Sequence, residues 1–278
     1  MKKLLSLAMA LALALSLSAA SAQALTKVVI GATATPHAEV LELVKDDLAA
    51  LGYELEIVVF TEYPLPNPAL AAGELDANYF QHLPYLSINW NATVPENERL
   101  VAAFGVHYEP YALYPGKTRT LEELTEGGII TITNDPSNET RALLLLKEAG
   151  LITLPEDATP DSNLTVLDIV NNPLKLDIKE VDASTLPATL LDADFAVING
   201  NFALDAGLSP ATDAIFVEPA DSDAGKTYTN YVVVRPEDAE AAFVKALEAV
   251  LHTQKVYDFL LTNENFRGGV IPTFTPAE

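Results

Sequence analysis

Short apolar runs alternate with helix-like stretches along almost the whole chain, and this alternation restricts the fold more than any other feature of the sequence. Lys27-Val-Val-Ile-Gly31 reads as a short buried strand. Thr35-Pro36 then opens a helix, with Thr35 as N-cap and Pro36 at the first helical position. Val40, Leu41, Val44 and Leu48 recur at helical spacing, and Gly52 ends the run. Further strands are expected at residues 55–60, 75–78, 129–133, 195–198 and 230–234, with a long extended segment at 105–114. A short helix is expected at 121–124. Asp135-Pro136 opens a well-marked helix through Arg141 that Gly150 ends, and residues 236–261 hold one or two terminal helices. Connections of this length suit parallel pairing, so the fold class is α/β.

Residues 1–24 stand outside that pattern. Lys2 and Lys3 form a basic start, an apolar run of 14 residues follows from Leu4 to Leu17, and Ala22-Gln23-Ala24 fits a signal-peptidase site. Spanning a bilayer takes roughly 20 apolar residues, so the segment reads as a cleaved export signal rather than an anchor. The protein is expected to be soluble and periplasmic or otherwise extracytoplasmic.

Charge and composition narrow the function. With 39 acidic and 16 basic side chains the net charge is −23, or −25 once Lys2 and Lys3 are removed. Such a surface repels phosphate backbones and anionic lipid headgroups, which argues against nucleic-acid and membrane-surface partners. The absence of cysteine excludes disulfides, thiolate metal sites, cysteine nucleophiles and lipid attached through cysteine. An apolar content of 49% excludes disorder as a description of the whole. No nucleophile elbow, phosphate loop, dinucleotide fingerprint or zinc-protease motif is present. His37, His82, His107 and His252 offer no pair with metal-ligand spacing on one element. No catalytic residue, metal or cofactor is therefore expected, and the protein is read as a non-enzyme.

Eleven of the 21 aromatic residues fall between Tyr53 and Tyr114. Phe60 and Phe104, flanked by aliphatics, read as core. Tyr63, Phe80, His82 and Tyr85 instead sit beside polar or turn residues, in a loop-like context that favours a pocket wall over core filling. Asn134-Asp-Pro-Ser-Asn-Glu-Thr-Arg141 supplies a complementary piece. A helix start attracts anions, and a guanidinium in the next turn can grip a carboxylate. Arg141 near a helix start opposes the dipole, so it should be compensated, either by an acid such as Glu139 or Glu148 or by a ligand carboxylate.

Several stretches carry a resemblance: Gly31-Ala-Thr-Ala-Thr-Pro-His-Ala-Glu39, Phe60-Thr-Glu-Tyr-Pro-Leu-Pro-Asn67, Gly73-Glu-Leu-Asp-Ala-Asn-Tyr-Phe-Gln-His-Leu-Pro-Tyr85, Asn134-Asp-Pro-Ser-Asn138, Asp168-Ile-Val-Asn-Asn-Pro173 and Ile198-Asn199. In order and over nearly the whole mature chain, they resemble the NlpA lipoprotein family, the substrate-binding proteins of methionine ABC importers. The resemblance implies a type II periplasmic-binding-protein fold, two α/β lobes joined by hinge strands around a central ligand cleft. Lobe 1 is expected at 25–110, lobe 2 at 111–227, and a return to the hinge and lobe 1 at 228–278. It also implies capture of an amino acid, foremost methionine, and delivery to a membrane permease with its ATPase, by a protein expected to be monomeric. By motif, Tyr63, Phe80, His82 and Tyr85 would surround the ligand side chain, Arg141 would hold the α-carboxylate, and Asn199 and Asn230 would bond the polar end. Two departures stand out. The lipid-bearing cysteine of most relatives is missing, and the last binding segment reads Lys226-Thr-Tyr-Thr-Asn230, placing a lysine near the expected pocket rim. L-methionine, D-methionine, a methionyl dipeptide and another apolar amino acid stay open as ligands. The alternative reading is a non-transport interaction or signalling protein that keeps the fold.

Overall fold

The computed structural model describes residues 24–219 and 224–276; the expected export signal, Ala24 apart, and most of the acidic loop at 221–225 lie outside them. Two mixed sheets organise the chain. The first has six strands in the order β11-β4-β10-β3-β1-β2, formed by β1 (Thr26–Ala32), β2 (Tyr53–Val59), β3 (Ala77–His82), β4 (Val101–Tyr108), β10 (Thr229–Val234) and β11 (Ile271–Pro272). The second has five in the order β7-β6-β8-β5-β9, from β5 (Ala112–Pro115), β6 (Ile129–Thr133), β7 (Asp177–Val181), β8 (Phe195–Ile198) and β9 (Phe216–Val217). Within each sheet the strands joined through local helices are parallel, as β1 is to β2 and β3. Strands that arrive from the other sheet run antiparallel, as β10 does to β3 and β4, and β5 to β8.

Each sheet is covered on both faces, and strand alternation decides what goes where. In β10, Val232 and Val234 enter one apolar cluster with Val40, Leu41 and Leu247, while Val233 enters the opposite one with Leu70 and Leu100. In β8, Phe195 and Val197 pack with Leu143 and Leu146, whereas Ala196 and Ile198 pack with Leu186 and Phe202. The chain passes from the first sheet to the second through residues 109–111, between β4 and β5, and is back in the first at β10, after β9.

Local differences from the sequence reading have physical causes. Thr35 is extended, with φ −109° and ψ 134°, but its hydroxyl donates to Glu39 Oε1 at 2.8 Å instead of capping amides. The helix that follows breaks at Val44 (φ −100°, ψ 4°) into Glu39–Leu43 and Lys45–Ala50. The strand expected at 75–78 runs instead from Ala77 to His82, every residue of it buried. β7 carries no apolar alternation; it is an edge strand bearing exposed Asp177, Lys179 and Glu180, which β6 recruits by parallel pairing.

Candidate functional site

The Pro136–Glu148 helix is the element that most clearly positions a site. Asp135 caps it, accepting from the Asn138 amide at 3.1 Å. The same carboxylate receives Thr133 Oγ1, Ser137 Oγ and the Asn138 side-chain amide. Asn138 and Arg141, one turn apart, both line a cavity between the sheets. Tyr63, Phe80, His82, Tyr85, Arg141, Asn199 and Asn230 all line it, so the structure brings the seven sequence-derived residues together.

One end of the cavity is aromatic. The Tyr63 ring lies 5.6 Å from Tyr85, 6.0 Å from Phe80 and 4.9 Å from Phe202. Phe80 and Tyr85 meet edge to face at 5.7 Å. Phe80 and His82 project from β3 and not from a loop, because Asn67, Asn78 and Gln81 satisfy one another's buried amides and let a polar sequence run as a central strand. His82 accepts the Tyr85 amide on Nδ1 at 3.2 Å, which leaves Nε2 to donate to Asn138 Oδ1 at 3.0 Å. Burial, reinforced by the Arg141 charge, lowers the His82 pKa to about 3, so the ring is a neutral hydrogen-bonding group.

The other end is charged. Arg141 donates from Nε to Glu218 Oε1 at 3.1 Å, and from Nη2 to Glu218 Oε2 and to the Glu109 carbonyl. Its guanidinium lies 3.9 Å from the Tyr228 ring centroid and 4.7 Å from that of Tyr111. The compensating anion expected from Glu139, Glu148 or a ligand is thus Glu218. Burial opposes both charges, yet each holds the other ionised: Arg141 is raised and Glu218 lowered from their ordinary values.

Behind this pair lies a constellation that the sequence did not show. Glu109 Oε1 accepts from His107 Nε2 at 2.8 Å and lies 3.5 Å from His37 Nε2. Tyr79 hydroxyl bonds His107 Nδ1, Thr33 hydroxyl bonds His37 Nδ1, and His37 Nε2 reaches Asn230 Oδ1 at 3.1 Å. Among the described residues, these two imidazoles and the carboxylate are the group with a metal-like donor set. Every one of the donor atoms is already engaged, so the group acts as a holder for a buried carboxylate. Burial lowers His107 to about 3 and His37 to about 4, and raises Glu109.

Sequence reasoning missed Gln81, Glu109, Asn138, Gly200 and Asn201 among the lining residues. Asn138 had a readable signal, three residues before Arg141 on one helix face. Gly200 is required by contact: a Cβ there would meet Glu109 Oε2 at 2.5 Å. Lys226, expected near the rim, is exposed and does not line the cavity.

The family model described as NlpA lipoprotein matches residues 28–274. The D-methionine-binding lipoprotein MetQ of Escherichia coli is 39% identical, covering 88% of this chain and 86% of that one. The methionine-binding lipoprotein MetQ of Bacillus subtilis is 36% identical, covering 88% of each. A nutrient binding protein from Burkholderia cenocepacia, solved bound to methionine, superposes with a TM-score of 0.82 at 38% identity, covering 89% of this chain and all of that one. A periplasmic substrate-binding protein of an ABC transporter from Coxiella burnetii superposes at 0.80 with 39% identity, over 88% of this chain and 100% of its own. The two-sheet α/β architecture is the fold of periplasmic substrate-binding proteins.

Proposed function

The chain belongs to the NlpA lipoprotein family, and on that premise we propose that it is an extracytoplasmic solute-binding protein that captures methionine between its lobes and delivers it to an ABC importer. The observation that carries this reading is one cavity with an aromatic wall at one end and a buried guanidinium and carboxylate at the other. Tyr63, Phe80, His82 and Tyr85 would enclose the thioether, whose sulfur gains about 0.3–1.5 kcal/mol beside an aromatic ring. Arg141 would hold the α-carboxylate, with Asn199 and Asn230 at the polar end. The site is read as binding without turnover, because its ionisable groups are already held: His82 by Asn138 and the Tyr85 amide, Glu109 by His37 and His107, and Glu218 by Arg141. We place the lobes at 25–110 and 111–227, with 228–278 returning to the first; the passage at 109–111 and the membership of β9 in the second sheet and β10 in the first support these bounds. The cavity is complete within one chain, which supports a monomer as the working unit that meets the permease and its ATPase.

Export by residues 1–24 would place the protein in the periplasm or its equivalent. The relatives are named lipoproteins, whereas these 278 residues hold no cysteine for a lipid thioether. No described helix is long and apolar enough to cross a membrane.

Thermal unfolding of ligand-stripped protein against a panel of amino acids tests the assignment. Methionine at a hundred times its Kd should add about 2.7 kcal/mol of stability, and Arg141→Ala should abolish the shift. Wild-type protein that no amino acid stabilises would refute it.

A further inference from the structure

Asn201 lines the cavity and is 2% exposed. The Tyr63 hydroxyl donates to its Oδ1, which fixes the orientation of the amide. Its Nδ2 is then left as a buried donor with no hydrogen-bond partner among the described residues. A buried donor left without a partner is destabilising, and one on a residue that lines a ligand cavity has a partner in an acceptor on the ligand.

The bonding capacity of Arg141 says which acceptor. Nε and Nη2 are both committed to Glu218 and the Glu109 carbonyl, so the guanidinium cannot present a full two-pronged face to a second carboxylate. Arg141 Nη1 can still donate to one oxygen of a ligand carboxylate, and the other oxygen needs a donor from elsewhere. The Asn138 amide is committed to Asp135. The Asn201 backbone amide bonds the Glu109 carboxylate, whose own carbonyl takes Arg141 Nη2, so Asn201 reaches from Tyr63 to the charged end, and among the described residues its Nδ2 is the fully buried donor lining the cavity that lacks a partner. Resting on the reading of the cavity as an amino-acid site, we propose that Asn201 is a ligand-contacting residue whose Nδ2 donates to the α-carboxylate. The cavity thereby selects a free carboxylate over its amide or ester, which offer weaker acceptors.

Isothermal titration of ligand-stripped protein with L-methionine, L-methioninamide and L-methionine methyl ester tests this. Asn201→Ala should weaken methionine binding roughly 10- to 100-fold, the worth of one hydrogen bond to a charged group, and should narrow the preference for methionine over methioninamide. Asn201→Asp puts an acceptor where the donor stood and should reverse that preference. It also serves as the readout if the alanine variant does not fold. Methionine binding by Asn201→Ala within twofold of wild type, or an unchanged methionine-to-methioninamide ratio in the aspartate variant, would overturn the proposal. A wild-type chain that binds methionine alongside insensitive variants sinks only this inference; a wild type that binds no amino acid sinks the functional reading beneath it.

Discussion

The charged groups of the cavity are set by burial, and that has a measurable pH signature. His37, His82 and His107 have native pKa values near 4, 3 and 3, below the unfolded value of about 6.5. As pH falls through 6.5 the unfolded chain takes up protons that the native chain refuses, so stability is lost on acidification. Glu139 works in the opposite sense: burial and the neighbouring Glu180 push it up to about 7, so the native chain keeps its proton between 4.5 and 7. That offsets part of the histidine loss until the unfolded carboxyl is protonated too. Lowered Glu218 adds to the loss at the acidic end. Raised Glu109 works in the same sense as Glu139, so urea midpoints should decline from pH 6.5 downward and more steeply below about 4.5, once the carboxyl offsets are spent; a midpoint that rises on acidification would contradict the buried, neutral imidazoles. At this scale the sequence was informative where a residue type was rare. Arg141 stands out as one of 16 cations, and the aromatics cluster. Glu109 was invisible among 39 acids, since only the fold brings His37 and His107 to it.

The Pro136–Glu148 helix delivers two cavity side chains from one face, so its cap is also part of the site's alignment. Asp135→Ala should cost about 1–2 kcal/mol by chemical denaturation, as the loss of a strong N-cap. It should also weaken ligand affinity, since Asn138 loses the carboxylate that orients its amide. Equal affinity in the variant would separate the cap from the site. This helix was legible from end to end, from Asp135-Pro136 to Gly150, because caps and periodicity agree. β3 was legible only in part. Asn78, Gln81 and His82 look like loop residues, and only the buried amide network and pairing to β1 and β10 make them a strand. β7 was illegible because its own side chains carry no pattern; its neighbour decides it.

Two lobes meet around the cavity, and hydrogen bonds cross the cleft at several points. His82 reaches Asn138, Tyr63 reaches Asn201, and Asn89 donates to Asp135 at 2.9 Å while accepting from the Ser137 amide at 3.2 Å. Asn89 does not line the cavity, so it contributes to closure alone. Asn89→Ala should weaken methionine binding several-fold, as expected from two lost hydrogen bonds of about 0.5–1.5 kcal/mol each. Small-angle scattering should show a smaller compaction on ligand addition than in wild type; unchanged affinity and compaction would remove Asn89 from the closing interface. Asp135 apart, the groups that meet at these points are amides, a phenol and an uncharged imidazole; charged groups join the lobes elsewhere, Arg141 at the Glu109 carbonyl, Glu218 at the Tyr108 hydroxyl and Arg267 with Asp213 at 3.5 Å. Ions screen charges over about 10 Å at 0.1 M salt, but they have little hold on bonds between neutral groups. For an exported protein, whose ionic strength would follow the surroundings, the part of the jaw fastened by Tyr63 and His82 should hold about as firmly in brine as in fresh water, and the charged links should carry whatever salt dependence closure has.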